Sequence, residues 1–328
     1  MRNHLGTMFA GAAVVALALT GCGQGSPSGS GGGDGDDANG ELTRVSVGVL
    51  SIAPSAAVQY GIDEGIFEEH GLEIDFQTGQ GGAAMLPAVS TGTMNFAIGN
   101  PLSVLVAADK GLDMKIVSGY SNSKAEGDDI TGVVVRKDSG IAGWKDLAGK
   151  TVAVNAVNTQ GDLTIMEAAA QDGADATAVK FSEISFPDQP AQLERGNIDA
   201  AWLPEPFLAN ALADGENELL GYNYQDVVPG LPTMVAFTSG AYAEENAQTV
   251  SDFQAALAET LEAAEADAEG VKTSVAGFLK IEEEAAQKIN MEEFAAEIRT
   301  EEMNAMGELM LKYGFVDKAP DVESILVK

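Results

Sequence analysis

The side chains that most often carry out catalysis are scarce in this sequence. Its 328 residues include two histidines, His4 and His70, and one cysteine, Cys22. Zinc and iron–sulfur sites built on cysteine need several thiolates, and a Ser-His-Asp triad needs a histidine beside its serine. We therefore expect no metal site built on cysteine or histidine, and most familiar hydrolases are disfavoured.

Polar and glycine-rich segments recur where predicted strands end and predicted helices begin. In α/β proteins, loops at these positions place hydroxyl, amide and backbone N–H groups around a bound ligand. The candidate ligand-binding residues are Ser51, Ser55, Gln80, Gly81, Gly82, Asn100, Tyr120, Asn122, Asn155, Thr159, Gln160, Trp202 and Glu205. Some also have structural explanations: Ser55 as a helix N-cap, Tyr120 as a core residue and Glu205 as a partner of a helix dipole.

The glycine-rich segment at residues 79–82 fits the dinucleotide fingerprint G-x-G-x-x-A, with Ala84 as its last member. That fingerprint also requires an acidic residue about 20 positions further on. None occurs between Met94 and Ala108. We interpret the segment as backbone N–H groups at a helix N-terminus, suited to an anion or a carbonyl oxygen. A tight turn that needs glycine is the alternative.

The candidate segments contain no lysine or arginine, and their charged residues are Asp162 and Glu205. A bidentate arginine clamp on a sulfonate or phosphate is therefore absent from these positions. Two ligand classes remain open: a small monoanion held by helix N-termini, or a neutral or amine-bearing ring stacked on Trp202 and paired with a carboxylate. The formal net charge of -32 excludes nucleic acid as a partner, because phosphate binding needs clustered basic residues.

Alternating strands and helices are predicted to position these segments. Between residues 44 and 212, short apolar strands alternate with helices, a pattern typical of mainly parallel sheets covered by helices on both faces. Residues 92–97 with the following Pro101 resemble residues 196–201 with Pro204, which favours two lobes of similar architecture, with chance similarity between βα units as the alternative.

The sequence after residue 241 predicts successive acidic helices with two apolar stripes at helical spacing. The stripes are Phe253, Leu257 and Leu261, and Met303, Met306, Met310 and Tyr313. We interpret both as core-facing sides of a helical tail.

The N-terminal residues have the features of a targeting segment. An apolar run at residues 8–19 follows Arg2. Twelve helical residues extend about 18 Å, which is too short for a hydrocarbon core of about 30 Å but typical of a signal peptide. The following Leu-Thr-Gly-Cys22 resembles the lipobox of bacterial lipoproteins, which implies a lipid on Cys22. We expect a signal peptide over residues 1–21, a Gly/Ser-rich tether over residues 22–40 and an extracytoplasmic, membrane-anchored protein.

The α/β part resembles the solute-binding proteins of ABC importers. More narrowly, it resembles the family that binds nitrate, sulfonates, taurine, bicarbonate and thiamine-pyrimidine precursors. The matching segments are residues 60–74, 92–98, 113–117, 146–154 and 193–207, the last containing a W-x-P-E-P-F sequence. One departure is Asn95, where the family usually has aspartate. The His/Cys-rich cluster of the family's pyrimidine-synthesising enzymes is also absent, which argues against that activity.

The resemblance implies a type II periplasmic-binding-protein fold, an α/β fold of two lobes, each a mainly parallel sheet flanked by helices. Lobe 1 is expected at residues 41–131 and 237–328, including the helical tail, and lobe 2 at residues 132–236. The implied function is that of a monomer without enzymatic activity or cofactor, which delivers a nitrate-, sulfonate- or taurine-type anion from its cleft to importer permease subunits. A planar ring such as a pyrimidine precursor is the alternative ligand, and a same-fold enzyme or a sensor is the alternative function.

Overall fold

The computed structural model describes residues 42–79, 81–213 and 215–327. The predicted signal peptide and tether, including Cys22, and the candidate site residue Gln80 lie outside the described residues. None of the described helices combines the length and the apolar character needed to cross a bilayer.

The strands of the described chain form two mixed sheets. In chain order they are β1 (Thr43–Leu50), β2 (Leu72–Gly79), β3 (Phe96–Gly99), β4 (Met114–Asn122), β5 (Thr131–Arg136), β6 (Thr151–Val154), β7 (Lys180–Glu183), β8 (Ala200–Pro204), β9 (Asn217–Gly221), β10 (Pro232–Ser239) and β11 (Glu293–Phe294). The first sheet has the order β11-β4-β10-β3-β1-β2, and the second has the order β7-β6-β8-β5-β9.

Most strands of each sheet run in one direction, as the alternation of strands and helices predicts. In the first sheet β1 is parallel to β2 and β3, while β10 lies antiparallel between β3 and β4. In the second sheet β6 is parallel to β7 and β8, while β5 lies antiparallel between β8 and β9. In each sheet the antiparallel strand β5 or β10 is the first one that the chain enters after crossing from the other sheet.

The chain crosses between the sheets over residues 123–130 and again over residues 222–231. The first crossing overlaps the region predicted near residues 129–133. The second was predicted near residues 234–238, but these residues lie inside β10, where Ala236 pairs with both Ile98 and Ser118. Residues 232–239 are all buried. They form a central strand of the first sheet, where hydrogen bonds to the strands on both sides satisfy their backbone groups. The lobe boundary predicted between residues 236 and 237 therefore falls within a strand.

Helices cover both sheets and follow the strands in alternation. They are α1 (Ala56–Asp63), α2 (Ile66–Glu69), α3 (Gly82–Ser90), α4 (Pro101–Asp109), α5 (Gln160–Gln171), α6 (Gln189–Glu194), α7 (Phe207–Leu212), α8 (Asn223–Val227), α9 (Gly240–Glu245), α10 (Ala247–Ala266), α11 (Ala268–Leu279), α12 (Glu283–Gln287) and α13 (Thr300–Lys312).

Local sequence explains how β3 and α4 are placed. Asn95, the departure from the family pattern, accepts hydrogen bonds from the backbone N–H (2.8 Å) and the hydroxyl (3.0 Å) of Ser46, and so ties the start of β3 to β1. At the other end of β3, the side chain of Asn100 accepts a hydrogen bond from the Ser103 N–H at 2.9 Å and caps α4. Pro101 is the first residue of α4, where its missing N–H costs no hydrogen bond.

The core lies between the sheets and these helices, and both predicted stripes of the helical tail contribute to it. Phe253 of α10 stacks on Phe96 of β3, with ring centroids 4.0 Å apart and planes 8° apart. Leu257 and Leu261 are fully buried, as are the three methionines of the second stripe. The interpretation of both stripes as core is confirmed except at Tyr313, which is only half-buried and donates a hydrogen bond to Glu167.

The helical tail packs mainly on the first sheet and its helices. Helices α10 and α11 contact α1, and β11 pairs with β4. Helix α13 contacts α4 and also α5, which covers the second sheet. There Glu167 accepts hydrogen bonds from Lys312 Nζ at 2.5 Å and from the Tyr313 hydroxyl at 2.7 Å. Burial raises the pKa of Glu167, but these hydrogen bonds outweigh burial and hold the pKa below its usual value.

Candidate ligand-binding site

A cavity of about 60 Å³ lies where the carboxyl ends of the strands of the two sheets meet. A water molecule needs roughly 10–15 Å³ of such space, so a group of several heavy atoms fits. Its polar lining residues are Asn100, Thr131, Asn155, Thr233 and Glu292, and its aromatic lining residues are Phe186, Trp202 and Tyr224. This is the position at which α/β sheets bind ligands, and we refer to it as the cleft cavity.

A neighbouring cavity of about 190 Å³ shares Leu50, Ile52 and Phe186 with the cleft cavity. It also contacts Phe207, whose ring lies 6.2 Å from that of Phe186 and nearly parallel to it. Among the described residues, no lysine, arginine or histidine lines either cavity. The combined space therefore has an apolar side and a polar side, with no positive charge supplied by the protein.

Glu292 is the lining residue with the most unusual environment. Its side chain is almost fully buried, and one carboxyl oxygen accepts a hydrogen bond from the Thr233 hydroxyl at 2.6 Å. The other oxygen, Oε1, has no hydrogen-bond partner. Burial raises the pKa of Glu292 to about 8, although the neighbouring hydroxyls of Ser121 and Thr233 lower it. A buried carboxyl oxygen without a partner is suited to accept a hydrogen bond from a ligand.

Trp202 forms the centre of the aromatic side. Its ring packs so closely on the first turn of α5 that a Cβ added to Gly161 would lie 2.8 Å from it. The rings of Phe186 and Tyr224 lie 5.6 Å and 5.9 Å away, centroid to centroid. The indole nitrogen is buried and has no hydrogen-bond partner. Trp202 can therefore stack on a ligand and donate one hydrogen bond to it.

Four of the residues predicted from the sequence line the cleft cavity: Gly82, Asn100, Asn155 and Trp202. Gly81 lies beside them, because a Cβ on Gly81 would approach the side-chain nitrogen of Asn155 to 3.0 Å. The structure therefore brings the glycine-rich start of α3 against the segment that follows β6. Ser51 is exposed and lines the neighbouring cavity instead.

Three further predicted residues are buried in the first sheet and its helices and do not line the cleft cavity. The Tyr120 hydroxyl donates a hydrogen bond to the Pro54 carbonyl oxygen at 2.6 Å. Asn122 ends β4, between β10 and β11. Ser55 is buried at the start of α1, and its side chain makes no capping hydrogen bond there. Tyr120 is thus a core residue, the alternative that its position in a strand left open.

The predicted residues at the start of α5 serve the helix itself. The Asp162 carboxylate accepts hydrogen bonds from the backbone N–H groups of Asn158 and Thr159, both at 2.7 Å. Gln160 donates a hydrogen bond to the Pro232 carbonyl oxygen at 2.7 Å, which joins α5 to β10. Burial raises the pKa of Asp162 to about 6, although these backbone hydrogen bonds lower it. A carboxylate of the protein thus fills the N-terminus of α5, whereas α3, the helix whose start the sequence offered to an anion, has no side-chain cap.

Glu205 has a similar structural role after β8. One carboxyl oxygen accepts a hydrogen bond from the Ala209 N–H at 3.0 Å, within α7. The side chain is almost fully buried but does not line the cleft cavity, and burial raises its pKa to about 7. The helix-dipole explanation of this residue fits the structure better than direct ligand contact.

Sequence reasoning missed Phe186, Tyr224, Thr233 and Glu292. Glu292 is one of many acidic residues in the tail, and no local pattern distinguishes it. Thr233 precedes the apolar run of β10, which the sequence placed at a crossing between lobes. Only the pairing of β10 and β11 with β4 brings Thr233 and Glu292 together.

The described histidine, His70, lies away from both cavities. It forms a surface pair with Glu259 at 2.8 Å. Within residues 42–79, 81–213 and 215–327, no group of three or more His, Cys, Asp or Glu residues is arranged to hold a metal ion.

This chain is similar to known proteins both in family and in fold. A family model described as "NMT1/THI5 like" matches residues 54–270. No curated protein sequence matches this chain. Among solved structures, the alkanesulfonate-binding protein SsuA from Xanthomonas axonopodis pv. citri, bound to MOPS, has a TM-score of 0.74 and 16% identity, covering 88% of this chain and 99% of that one.

Two further structures agree with this likeness. The periplasmic aliphatic sulphonate binding protein SsuA from Escherichia coli has a TM-score of 0.71 and 17% identity, covering 86% of this chain and 96% of that one. The periplasmic nitrate-binding protein NrtA from Synechocystis PCC 6803 has a TM-score of 0.72 and 11% identity, covering 87% and 86%. The predicted periplasmic-binding-protein fold is confirmed.

Proposed function

Because the chain belongs to the NMT1/THI5-like family and has the periplasmic-binding-protein fold, we propose that it is the solute-binding protein of an ABC importer. The observation that carries this proposal is the cleft cavity, to which both sheets contribute side chains. A ligand held there touches both halves of the molecule. Its binding free energy therefore favours the arrangement in which the halves are close together.

The two crossings supply a hinge for this change. We assign residues 42–122 and 232–327 to one lobe and residues 131–221 to the other, with residues 123–130 and 222–231 as the connections. Hinge closure around a ligand is a common device of two-lobed binding proteins. The importer's permease subunits would recognise the closed form and receive the ligand from it.

We propose that the protein works as a monomer outside the cytoplasmic membrane, held there by a lipid on Cys22. The lipobox-like sequence supports this. The variant Cys22→Ser removes the thiol that would carry the lipid. We expect the wild-type chain in the membrane fraction of a bacterial host and the variant in the soluble fraction. Equal membrane association of both would contradict the anchor.

The ligand class has support from two directions. The names of the solved neighbours, which refer to sulfonate and nitrate, support an anion of the nitrate, sulfonate or taurine type. The aromatic and acidic lining of the cleft cavity supports a neutral or amine-bearing ring. At 11–17% identity to these neighbours, the cavity of this chain is the better guide.

A same-fold enzyme is the alternative function. Covalent catalysis requires an activated nucleophile, usually with a base beside it. Among the described residues that line the two cavities there is no cysteine or histidine. We therefore propose binding without turnover.

Thermal unfolding of the full chain tests the proposal. One panel of compounds holds nitrate, bicarbonate, taurine and alkyl sulfonates, and a second holds aminopyrimidines, aromatic carboxylates and amines. A ligand at 100 times its Kd adds about 2.7 kcal/mol to the free energy of unfolding, which gives a measurable rise in Tm. We expect a saturable rise with members of one panel. No rise with any compound, or steady turnover of a bound compound, would contradict the proposed function.

A further inference from the structure

We propose that the ligand presents a positively charged nitrogen, an ammonium or amidinium group, to the carboxyl group of Glu292. This inference rests on the proposed function and deepens it, because it names the class of solute that the cleft cavity selects. The geometry around Glu292, the lack of basic side chains among the described residues that line the cleft cavity, and the occupation of three nearby helix N-termini support it.

One carboxyl oxygen of Glu292 is buried without a hydrogen-bond partner. Glu292 is 4% exposed, and it lines the cleft cavity beside Thr233. Thr233 satisfies one oxygen, while Oε1 has no partner among the described residues. Buried polar atoms without partners are rare in folded proteins, and one that lines a cavity at a ligand position calls for a donor from the ligand. A charged N–H donor makes the strongest hydrogen bond to a carboxylate.

The charges around the cleft cavity also favour a cationic ligand. Of the described residues that line the cleft cavity and its neighbour, none carries a positive charge. Lys124 lines a separate cavity that Glu292 also contacts, together with Glu265. Within the cleft cavity Glu292 therefore has no cationic partner from the protein. Two opposite charges brought together in a desolvated site attract strongly, whereas an anion near Glu292 would meet repulsion or require the acid to stay protonated.

Three helix N-termini that an anion could use already have an acceptor from the chain itself. Asp162 already accepts the N–H groups at the start of α5, and Glu205 already accepts an N–H group of α7. At α4 the first residue is Pro101, which has no N–H, and Asn100 caps the helix with its own side chain. The chain fills the starts of α4, α5 and α7 with its own acceptors, so among these four helices only α3, whose first residue Gly82 lines the cleft cavity, has a start without a capping side chain.

The aromatic side fits the same ligand class. Trp202, Phe186 and Tyr224 lie close together on the side that the second sheet contributes. Aromatic faces attract cations, and a carboxylate opposite aromatic rings is a common arrangement for binding an amine. The neighbouring cavity against Phe207 offers space for an apolar part of the ligand.

Proton linkage distinguishes a cation from an anion. The groups that influence Glu292 are the Tyr120 and Tyr224 hydroxyls, Asp129 and the hydroxyls of Ser121 and Thr233. Lys124 and Glu265 face it across the separate cavity. A cation stabilises the ionised carboxylate, so its binding releases a proton and its affinity rises as the pH approaches 8. An anion needs the protonated acid, so its affinity falls over the same range.

The test is isothermal titration calorimetry of the full chain with four probes: benzylamine, benzyl alcohol, benzenesulfonate and nitrate. We expect benzylamine to bind more tightly than the other three. Glu292→Gln should weaken benzylamine binding by about tenfold to a hundredfold, the loss of one charge-assisted hydrogen bond. The control Glu265→Gln removes an exposed carboxylate near the same segment but outside the cleft cavity, and should change affinity by no more than about twofold because solvent screens it.

Other results would overturn the inference in distinguishable ways. Binding of benzenesulfonate or nitrate that persists in Glu292→Gln would overturn it and leave the proposed function standing. No binding of any of the four probes would count against both. If Glu292→Gln does not fold, the wild-type titration at pH 6 and pH 8 decides: a rise in benzylamine affinity with pH supports the inference, and a constant or falling affinity overturns it.

Discussion

Strands β3 and β8 occupy equivalent places in the two sheets but are followed by residues with different roles. Each lies between a parallel partner, β1 or β6, and the antiparallel strand that follows a crossing, β10 or β5. After β3, Asn100 lines the cleft cavity and caps α4. After β8, the Glu205 carboxyl group instead accepts a hydrogen bond from α7.

The two sides of the cleft cavity, which we call its walls, differ in their side chains as well. The wall from the first sheet and its tail supplies Asn100, Thr233 and Glu292, which are hydrogen-bonding groups. The wall from the second sheet and the connection that follows it supplies three aromatic rings, with Thr131 and Asn155 as its hydrogen-bonding groups. Two sheets of similar architecture thus give a polar wall and an aromatic wall. Such a division orients a ligand, since its donor must face one sheet and its apolar surface the other.

The largest expected effect is a pH dependence of the free energy of unfolding, to which three buried acids contribute over different pH ranges. Burial raises the pKa of Glu292 to about 8, of Glu205 to about 7 and of Asp162 to about 6. The corresponding values in the unfolded chain are about 4. The folded protein therefore holds more protons, and its free energy of unfolding falls as the pH rises from about 4 to 8, by up to about 1.4 kcal/mol per pH unit for each group.

Urea unfolding at intervals between pH 5 and pH 8 measures this slope. Glu292→Gln, in the polar wall, should flatten the slope over the whole range and remove most of it near pH 8, above the pKa values of Glu205 and Asp162. Asp162→Asn, at the start of α5, should flatten it at the acidic end. Identical slopes in the wild type and both variants would show that these carboxyl groups titrate alike in the folded and unfolded chains, and would contradict the environments described for them.

Loss of the central ring of the aromatic wall should have the next largest effect. Trp202→Ala is expected to lower the free energy of unfolding by about 3–5 kcal/mol, the usual cost of truncating a large buried aromatic. Trp144→Ala is the matched control, because Trp144 lies in the same half of the chain but is only partly buried, bound through its indole N–H to Asp226. Chemical denaturation compares the two, and an equal loss in both would contradict the special position of Trp202.

The close contact between Trp202 and α5 gives a smaller effect. Gly161→Ala places a methyl group 2.8 Å from the Trp202 ring, so the ring or the start of α5 must shift. We expect a loss of about 1–3 kcal/mol from overpacking. Gly277→Ala in α11 has no atom within 4 Å of the new Cβ and should stabilise the chain by about 0.5–1 kcal/mol. Thermal unfolding of both variants gives the signs, and stabilisation by Gly161→Ala would be the contrary result.

The smallest expected effect concerns the contact of the tail with the second half of the chain. Lys312→Met removes the charged partner of Glu167, and we expect a loss of about 0.5–1 kcal/mol because the lysine is half exposed. Lys288→Met is the control, since its pair with Glu284 is solvent-exposed within α12. Unfolding at low salt and at about 1 M NaCl should show the Lys312 effect shrinking only partly. A loss no greater than that of the control would mean that α13 does not tie the two halves together.

Much of the fold could be predicted from sequence because its signals are local. The apolar strand Thr151–Val154 is found where the pattern placed it, and the echo between residues 92–97 and 196–201 corresponds to the equivalent strands β3 and β8. The echo does not extend to the helices, because Pro101 opens α4 whereas Pro204 ends β8. The β10 strand was missed because a buried central strand and an extended crossing have similar apolar sequences.

The site could be predicted only in part, for a related reason. Gly82, Asn100, Asn155 and Trp202 directly follow or belong to strands whose carboxyl ends converge, so their position in the sequence indicates the cleft. Glu292 reaches the cleft from a tail that returns to pair with β4, about 170 residues further along the chain. No local pattern encodes such a return, and an acidic residue in an acidic tail gives no signal of its own.

The fluorescence of Trp202 gives the most direct test of the account. The chain has two tryptophans, so Trp144→Phe leaves Trp202, in the aromatic wall, as the reporter. The full-length variant is titrated with the compound that raises the Tm of the wild type most. We predict a saturable change in emission with the same Kd as the thermal shift, because the ligand lies between this ring and the polar wall. A compound that stabilises the protein without changing Trp202 emission would place its site elsewhere and contradict the account.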